Sequence, residues 1–297
     1  MQRSDWRGVY AAITTPFSAN GHVDHGFLRE HIDWLITRGV RGIVALGSLG
    51  EAPTLTSDEK RTILTAAHAA IGSRVPLVAG ISGMSTTEAR TLAREAADLG
   101  CDGLMVLPPY VYRGDWRETA AHLEAIIHAT PLSCMLYNNP LAYGTDIMPV
   151  QIHELCRHDN LHAVKESSGD IRRITALREI VGDRLAIFVG MDDVIVEGIA
   201  AGAVGWIAGL VNALPDESVQ LFDLASTKGP DAARALYEWF LPLLRLDTAP
   251  KFVQLIKLVQ EEVGMGNSSV RAPRMELSGD DREMVSALIR ERLANRR

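Results

Sequence analysis

Cysteine is scarce in this chain. Three occur among 297 residues, Cys101, Cys134 and Cys156, scattered and odd in number. No C-x-x-C pair is present, which argues against a zinc framework or a disulfide scaffold and favours a reducing compartment. No run of about 18 apolar residues occurs, and the N-terminus has no basic stretch followed by an apolar one, so neither a membrane span nor a signal peptide is expected. The expected location is cytoplasmic. Basic residues are in deficit: the net charge is -7 and the pI about 5.7, with no basic stripe of the kind that tracks nucleic acid. The Arg-rich end, Arg290 to Arg297, reads as a solvated helix terminus, where cations suit the dipole. Nine histidines give no H-E-x-x-H or similar spacing, and His22 and His25 lie among turn residues, so no metal site is expected. Lysine is rarer than the total basic count suggests: only Lys60, Lys165, Lys228, Lys251 and Lys257.

What is present is a repeated beat. Short apolar, β-prone runs alternate with longer stretches of helical period. The runs are Gly8–Thr14, Gly42–Leu46, Val75–Gly80, Gly103–Val106, Leu132–Tyr137, Leu161–Lys165, Leu185–Gly190 and Val204–Ile207, and their ends are 17 to 33 residues apart. A parallel strand needs about this much chain to return by a helix before it pairs again. Ser57-Asp58-Glu59 and Ser85-Thr86-Thr87-Glu88 precede amphipathic runs to Ile71 and Leu99, the second with capping-box spacing between Ser85 and Glu88. Gly39, Gly72, Gly100, Gly182 and Gly202 follow helices as C-cap glycines. Eight such units predict a closed (β/α)₈ barrel, an α/β TIM barrel, over residues 1–228. A doubly wound open sheet is the alternative, but no G-x-G-x-x-G follows the first strand. After 228 the beat stops, and helices near 231–246, 250–263 and 279–294 predict a C-terminal helical extension over 229–297.

Barrel active sites stand at the C-terminal ends of the strands. Lys165 ends the apolar run His162-Ala163-Val164-Lys165, whereas the other four lysines lie in helical or loop segments. A desolvated lysine supplies a free amine for attack on a carbonyl; position alone leaves open a lysine paired with a neighbouring acid. Tyr137 ends the preceding strand, 28 residues earlier, and can relay protons or simply pack its ring. Gly47-Ser48-Leu49-Gly50-Glu51 follows the second strand, where closely spaced glycines let backbone amides converge on a carboxylate, or merely turn the chain. Asp192 and Asp193 follow Gly190 and suit either substrate hydroxyls or a helix N-terminus. Ser167 stands just beyond Lys165, within reach of a substrate or as a turn cap.

Taken together, Gly47-Ser48-Leu49-Gly50-Glu51, Tyr137-Asn138-Asn139-Pro140 and Val164-Lys165-Glu166-Ser167 resemble the G-[ST]-[TS]-G-E, Y-N-x-P and V-K-[ED]-[SA] motifs of the dihydrodipicolinate synthase / N-acetylneuraminate lyase family, class I Schiff-base aldolases. Ile13-Thr14-Thr15-Pro16-Phe17, the acid-led helix from Asp24, and Gly205-Trp206-Ile207 fit as well, so the likeness spans residues 8 to 290. It implies that Lys165 forms an imine with a 2-oxo acid, that Tyr137 relays protons, and that Ser48 with Gly47 and Leu49 holds the substrate carboxylate. Ser167, Gly190, Asp192 and Ile207 complete the substrate-binding set it implies. No cofactor is expected, because the protonated imine is itself the electron sink. A homo-oligomer, tetramer or dimer, is implied, with small molecules as the only other partners.

Several positions depart from the family pattern. Leu49 stands for the second hydroxyl residue of the loop, and Val111 for an aromatic in Pro108-Pro109-Tyr110-Val111-Tyr112. Ala142 stands for the arginine with which the synthases bind a second substrate's carboxylate, and a lost arginine is a lost bidentate partner. Gly209 stands where sialic-acid lyases carry a serine. The combination resembles a catabolic branch, and the expected reaction is that of a 1-pyrroline-4-hydroxy-2-carboxylate deaminase. Aldol cleavage of a 2-oxo-3-deoxy sugar acid or an N-acetylneuraminate-like substrate is the nearest alternative, ahead of 4-hydroxy-tetrahydrodipicolinate synthesis. A non-catalytic 2-oxo-acid-binding barrel is the alternative of another class.

Overall fold

A computed structural model describes residues 1–296. Eight parallel strands close into one barrel in chain order: β1 (Gly8–Ala12), β2 (Gly42–Ala45), β3 (Leu77–Ile81), β4 (Gly103–Val106), β5 (Ser133–Asn138), β6 (Leu161–Glu166), β7 (Ala186–Val189) and β8 (Gly205–Ala208). β1 closes the ring on β8, with Gly8 opposite Gly205 and Ala11 opposite Ala208. Each strand coincides with an expected apolar run to within two residues at either end, because strands covered on both faces read as unbroken apolar sequence.

The lower end of the barrel is filled by aromatic rings. Trp6 stacks on Tyr10 at 5.7 Å between centroids, and Phe188 meets Tyr10 edge-on at 5.4 Å. Two strand glycines make room for them. A Cβ at Gly42 would lie 2.2 Å from the Tyr10 ring, and one at Gly205 would lie 2.3 Å from the Phe188 ring. This end is sealed, so the opposite mouth is the one open to chemistry.

The expected helix signals hold with one adjustment. Ser85 caps the helix Thr86–Asp98 by accepting from the Glu88 amide, but the Glu88 carboxylate turns to the Met84 amide instead of closing a box on Ser85. Full boxes form at Thr56 with Glu59 and at Asp115 with Glu118. All five expected C-cap glycines have positive φ. After the barrel come the helices Pro230–Leu244, Phe252–Glu262 and Gly279–Ala294. The arginines of the C-terminal end are not simply solvated: Arg290 pairs with Glu262 at 3.0 Å and Arg296, just past the last helix, pairs with Glu217, while Arg297 lies outside the described residues.

The helix Phe252–Glu262 reaches the barrel mouth through Lys257. Its Nζ donates to Glu51 Oε1 and to the Ser269 carbonyl, both at 2.7 Å, while the other Glu51 oxygen accepts from the Arg271 amide at 3.0 Å. Glu51 is fully buried and sits at φ 56°. The last residue of the G-S-L-G-E loop is therefore the anchor of the C-terminal extension. Replacing Lys257 with alanine leaves that carboxylate buried with its cation gone, and a loss of about 3–5 kcal/mol of stability is expected in denaturant titrations. A midpoint unchanged from the parent protein would mean that Arg271 and Arg274 compensate fully.

Candidate active site

The register of β5 and β6 sets Tyr137 directly opposite Lys165. In-register neighbours on parallel strands point to the same face, so both side chains enter the mouth together. Lys165 Nζ lies over the Tyr137 ring, 4.2 Å from its centroid. Both residues are buried, at 7% and 4% exposure. Burial by itself does not single out Lys165, since Lys257 is more deeply buried at 2% and Lys60 is buried too. The difference is partnership. Lys257 is ion-paired, whereas among the described residues no carboxylate oxygen lies within 4.0 Å of Lys165 Nζ. The alternative of a strand-end lysine in direct contact with a neighbouring acid does not describe this geometry, although Asp192 and Asp247 are near enough for their charges to interact with it.

Gly190 makes the lysine's position possible. A Cβ there would come within 2.6 Å of Lys165 Cε and 2.0 Å of Ser167 Oγ. The Ser167 hydroxyl is buried and has no hydrogen-bond partner among the described residues. The Y-N-N-P motif acts locally as well as through its tyrosine. Asn138 is fully buried and donates to Glu166 Oε2 at 3.0 Å, joining the ends of β5 and β6 beside Lys165. Asn139 donates to the Tyr137 hydroxyl at 2.9 Å and caps the short helix Pro140–Tyr143.

The loop after β2 is held from beneath. Leu46 has φ 60°, a left-handed conformation that branched and bulky residues avoid, and it is buried. Gly80 lies under it, where a Cβ would meet the Leu46 carbonyl oxygen at 2.5 Å. Thr15, from the expected Ile13–Phe17 motif, donates to the Gly50 carbonyl at 2.6 Å. Among the described residues the amides of Ser48 and Leu49 donate to no protein acceptor, which leaves both for an anion.

One functional side chain escaped the sequence. Tyr143, six residues after Tyr137, shares a hydrogen bond with Ser48 Oγ. Its ring meets Tyr137 edge-on at 5.8 Å and Tyr110 at 5.9 Å. Burial, then the neighbouring Tyr137, raises its pKa, which favours the protonated hydroxyl. The only signal in the sequence was an aromatic beside a motif, and loop aromatics have no fixed direction until the loop is placed. Removing the hydroxyl in Tyr143→Phe should lower kcat by less than about 10²-fold, the low end for a positioned proton carrier, because Ser48 can still bond water. Steady-state kinetics with KM measured alongside checks this; a change in KM alone would assign Tyr143 to binding.

Asp192 is fully buried and its oxygens are taken by protein donors. Trp206 Nε1 reaches it at 2.8 Å, the Leu210 amide at 2.8 Å and the Gly209 amide at 3.1 Å. Burial pushes its pKa up to about 6 against the opposing pull of those donors and of Lys165. It fastens the end of β7 to the end of β8. The main-chain carbonyl of Asp193 accepts from Tyr237 on the helix Pro230–Leu244, and its carboxylate is close enough to act on Asp247. Ile207 is buried on β8, paired with Tyr10.

The chain as a whole is matched by known proteins. The model of the dihydrodipicolinate synthetase family covers residues 5–292. The chain belongs to that family. A 4-hydroxy-tetrahydrodipicolinate synthase of Pelobacter propionicus is 32% identical over 289 residues, 96% of this chain and 98% of its own. The crystal structure of a dihydrodipicolinate synthase from Bacillus anthracis superposes with a TM-score of 0.93 at 26% identity, covering 98% of this chain and 99% of that one. A chloride-inhibited synthase from Acinetobacter baumannii, solved with pyruvate, superposes at 0.90 with 28% identity over 97% and 98%. The protein is thus a lyase of the dihydrodipicolinate synthetase family on a TIM barrel, related to enzymes that work through a lysine Schiff base. No helix among the described residues is long and apolar enough to cross a membrane.

Proposed function

We propose that Lys165 captures a small 2-oxo-acid-type substrate as an imine, and that the reaction is the dehydration and deamination of 1-pyrroline-4-hydroxy-2-carboxylate. The observation that carries the first part is the unpaired Lys165 amine lying 4.2 Å above the Tyr137 ring. The substrate carboxylate takes the Ser48 and Leu49 amides, and Tyr137 carries protons between the nitrogen and the substrate. Lys165 adds to the ring carbon bearing the carboxylate and displaces the ring nitrogen as a free amine. The imine acidifies the adjacent methylene; loss of its proton expels the 4-hydroxyl as water. Tautomerisation turns the amine end into a second imine. Hydrolysis of both imines releases ammonia and 2-oxoglutarate semialdehyde, with one water taken up overall.

Elimination is favoured over condensation by Ala142, which offers no charge for a second carboxylated substrate, and by the apolar Leu49 and Val111. One observation favours the rival. Arg113 lies against Gly144, where a Cβ would be 2.3 Å from its guanidinium, so a cation from the loop after β4 comes close to the position that Ala142 vacates. The deciding assay offers the purified protein the hydroxypyrroline substrate, and separately pyruvate with aspartate semialdehyde. Ammonia and 2-oxoglutarate semialdehyde are expected from the first. Condensation in the second without deamination in the first would overturn the elimination reading and assign Arg113 the carboxylate.

A homo-oligomer, tetramer or dimer, belongs to the same reading. Met84, Val111 and Tyr112 are 66%, 58% and 62% exposed and line a single groove beside the mouth, an apolar surface of the kind that a second copy covers.

A further inference from the structure

The mouth holds a carboxyl group that the reaction above does not use. Asp247 lies in the short 3₁₀ segment Arg245–Thr248, outside the barrel and just after the helix Pro230–Leu244. Its side chain crosses to the end of β8, where a Cβ on Gly209 would stand 1.9 Å from Asp247 Oδ1. The absent side chain at 209 is thus replaced by a carboxylate from the C-terminal extension. The residue is half-buried, and the charges that act on it are those of Asp192, Lys165 and Asp193. No described residue hydrogen-bonds its oxygens. Asp192 beside it is the opposite case, with its oxygens engaged by Trp206, Gly209 and Leu210.

We propose that Asp247 is a specificity-determining residue that receives the far end of the substrate and selects a hydrogen-bond-donating group there, ammonium or hydroxyl, over a carboxylate. This rests on the reading of Lys165 as the imine-forming residue. Two carboxyl groups, Asp192 and Asp247, stand within electrostatic reach of Lys165, and the protonated imine formed there carries a single positive charge. In the empty mouth, burial and then the charge of Asp192 push Asp247 toward its protonated form. An incoming ammonium takes the place of that proton and lets the carboxylate ionise. A far carboxylate would bring a further negative charge into a space already under the influence of Asp192 and Asp193.

The experiment measures the concentration of 2-oxo acid that half-saturates borohydride trapping on Lys165. The probes are pyruvate, which has no far end, 2-oxoglutarate, which ends in a carboxylate, and 5-amino-2-oxopentanoate, which closes to 1-pyrroline-2-carboxylate in water and ends in an ammonium once Lys165 has displaced its ring nitrogen. The wild-type protein should prefer the amino probe over 2-oxoglutarate by about tenfold or more, the weight of one hydrogen bond to a charged group. Asp247→Asn and Asp247→Ala, each normalised to its own pyruvate value, should lose most of that preference. A wild-type preference for 2-oxoglutarate, or a ratio unchanged in both variants, would overturn the inference while leaving the Lys165 reading intact. A variant that no longer traps pyruvate would place Asp247 in imine formation and overturn the far-end assignment. Failure of the wild-type protein to trap any of the three would overturn the Lys165 reading and this inference with it.

Discussion

Replacing Lys165 with alanine abolishes borohydride-stable labelling by pyruvate and lowers turnover by about 10⁴-fold or more, as expected when the nucleophile of a cooperating set is removed. The expectation rests on the geometry of the mouth. A carboxylate in hydrogen-bond contact would occupy the amine and stand in the way of an incoming carbonyl. Lys165 has no such contact; its neighbour is the face of the Tyr137 ring. The other buried cation is a built-in control, because Lys257 is held by Glu51 at 2.7 Å and should remain unlabelled. The measurement is peptide mapping of the reduced adduct. A label on Lys257 or Lys60, or persistent labelling of the alanine variant, would remove Lys165 from the chemistry.

Tyr137→Phe is expected to leave the fold and the trapping of pyruvate largely in place while kcat falls by roughly 10² to 10⁴, the weight of a positioned acid–base group. The ring would still pack against Lys165 and Tyr143, so stability should change little. What is lost is the hydroxyl that accepts from Asn139 at 2.9 Å and can pass a proton to the carbinolamine. Single-turnover kinetics separates the two cases. If imine formation and release both keep their wild-type rates within a factor of about three, Tyr137 is a packing residue, and the Tyr143–Ser48 pair becomes the candidate carrier.

These two residues were legible in the sequence for the same reason that the strands were. A barrel strand covered on both faces is apolar along its length, so a lysine or tyrosine at its end breaks the pattern where the fold opens to solvent. The 28-residue spacing then made them neighbours, because one β–α unit advances the chain by one strand. The G-S-L-G-E loop was legible as a turn with free amides, although nothing along the chain hints that Leu46 is left-handed or that Gly80 supports it.

Pairing across distant segments was not legible. Nothing along the chain links Lys257 to Glu51, 206 residues earlier, and a lysine in an amphipathic helix reads as solvent-facing until that helix is laid against the barrel. Asp247 reads as an ordinary turn acid, and only the missing side chain at Gly209 gives its carboxylate a way into the mouth. Local periodicity therefore determined the barrel, its open end and the residues at the ends of its own strands, since each of these depends on neighbours in sequence. The tertiary structure alone decided which charges are paired, which hydroxyl meets Ser48 and what the C-terminal helices contribute. Those outcomes depend on the packing of elements that share no sequence neighbourhood, and a distance of a few ångströms between them is the difference between a lysine held in an ion pair and one left without a partner.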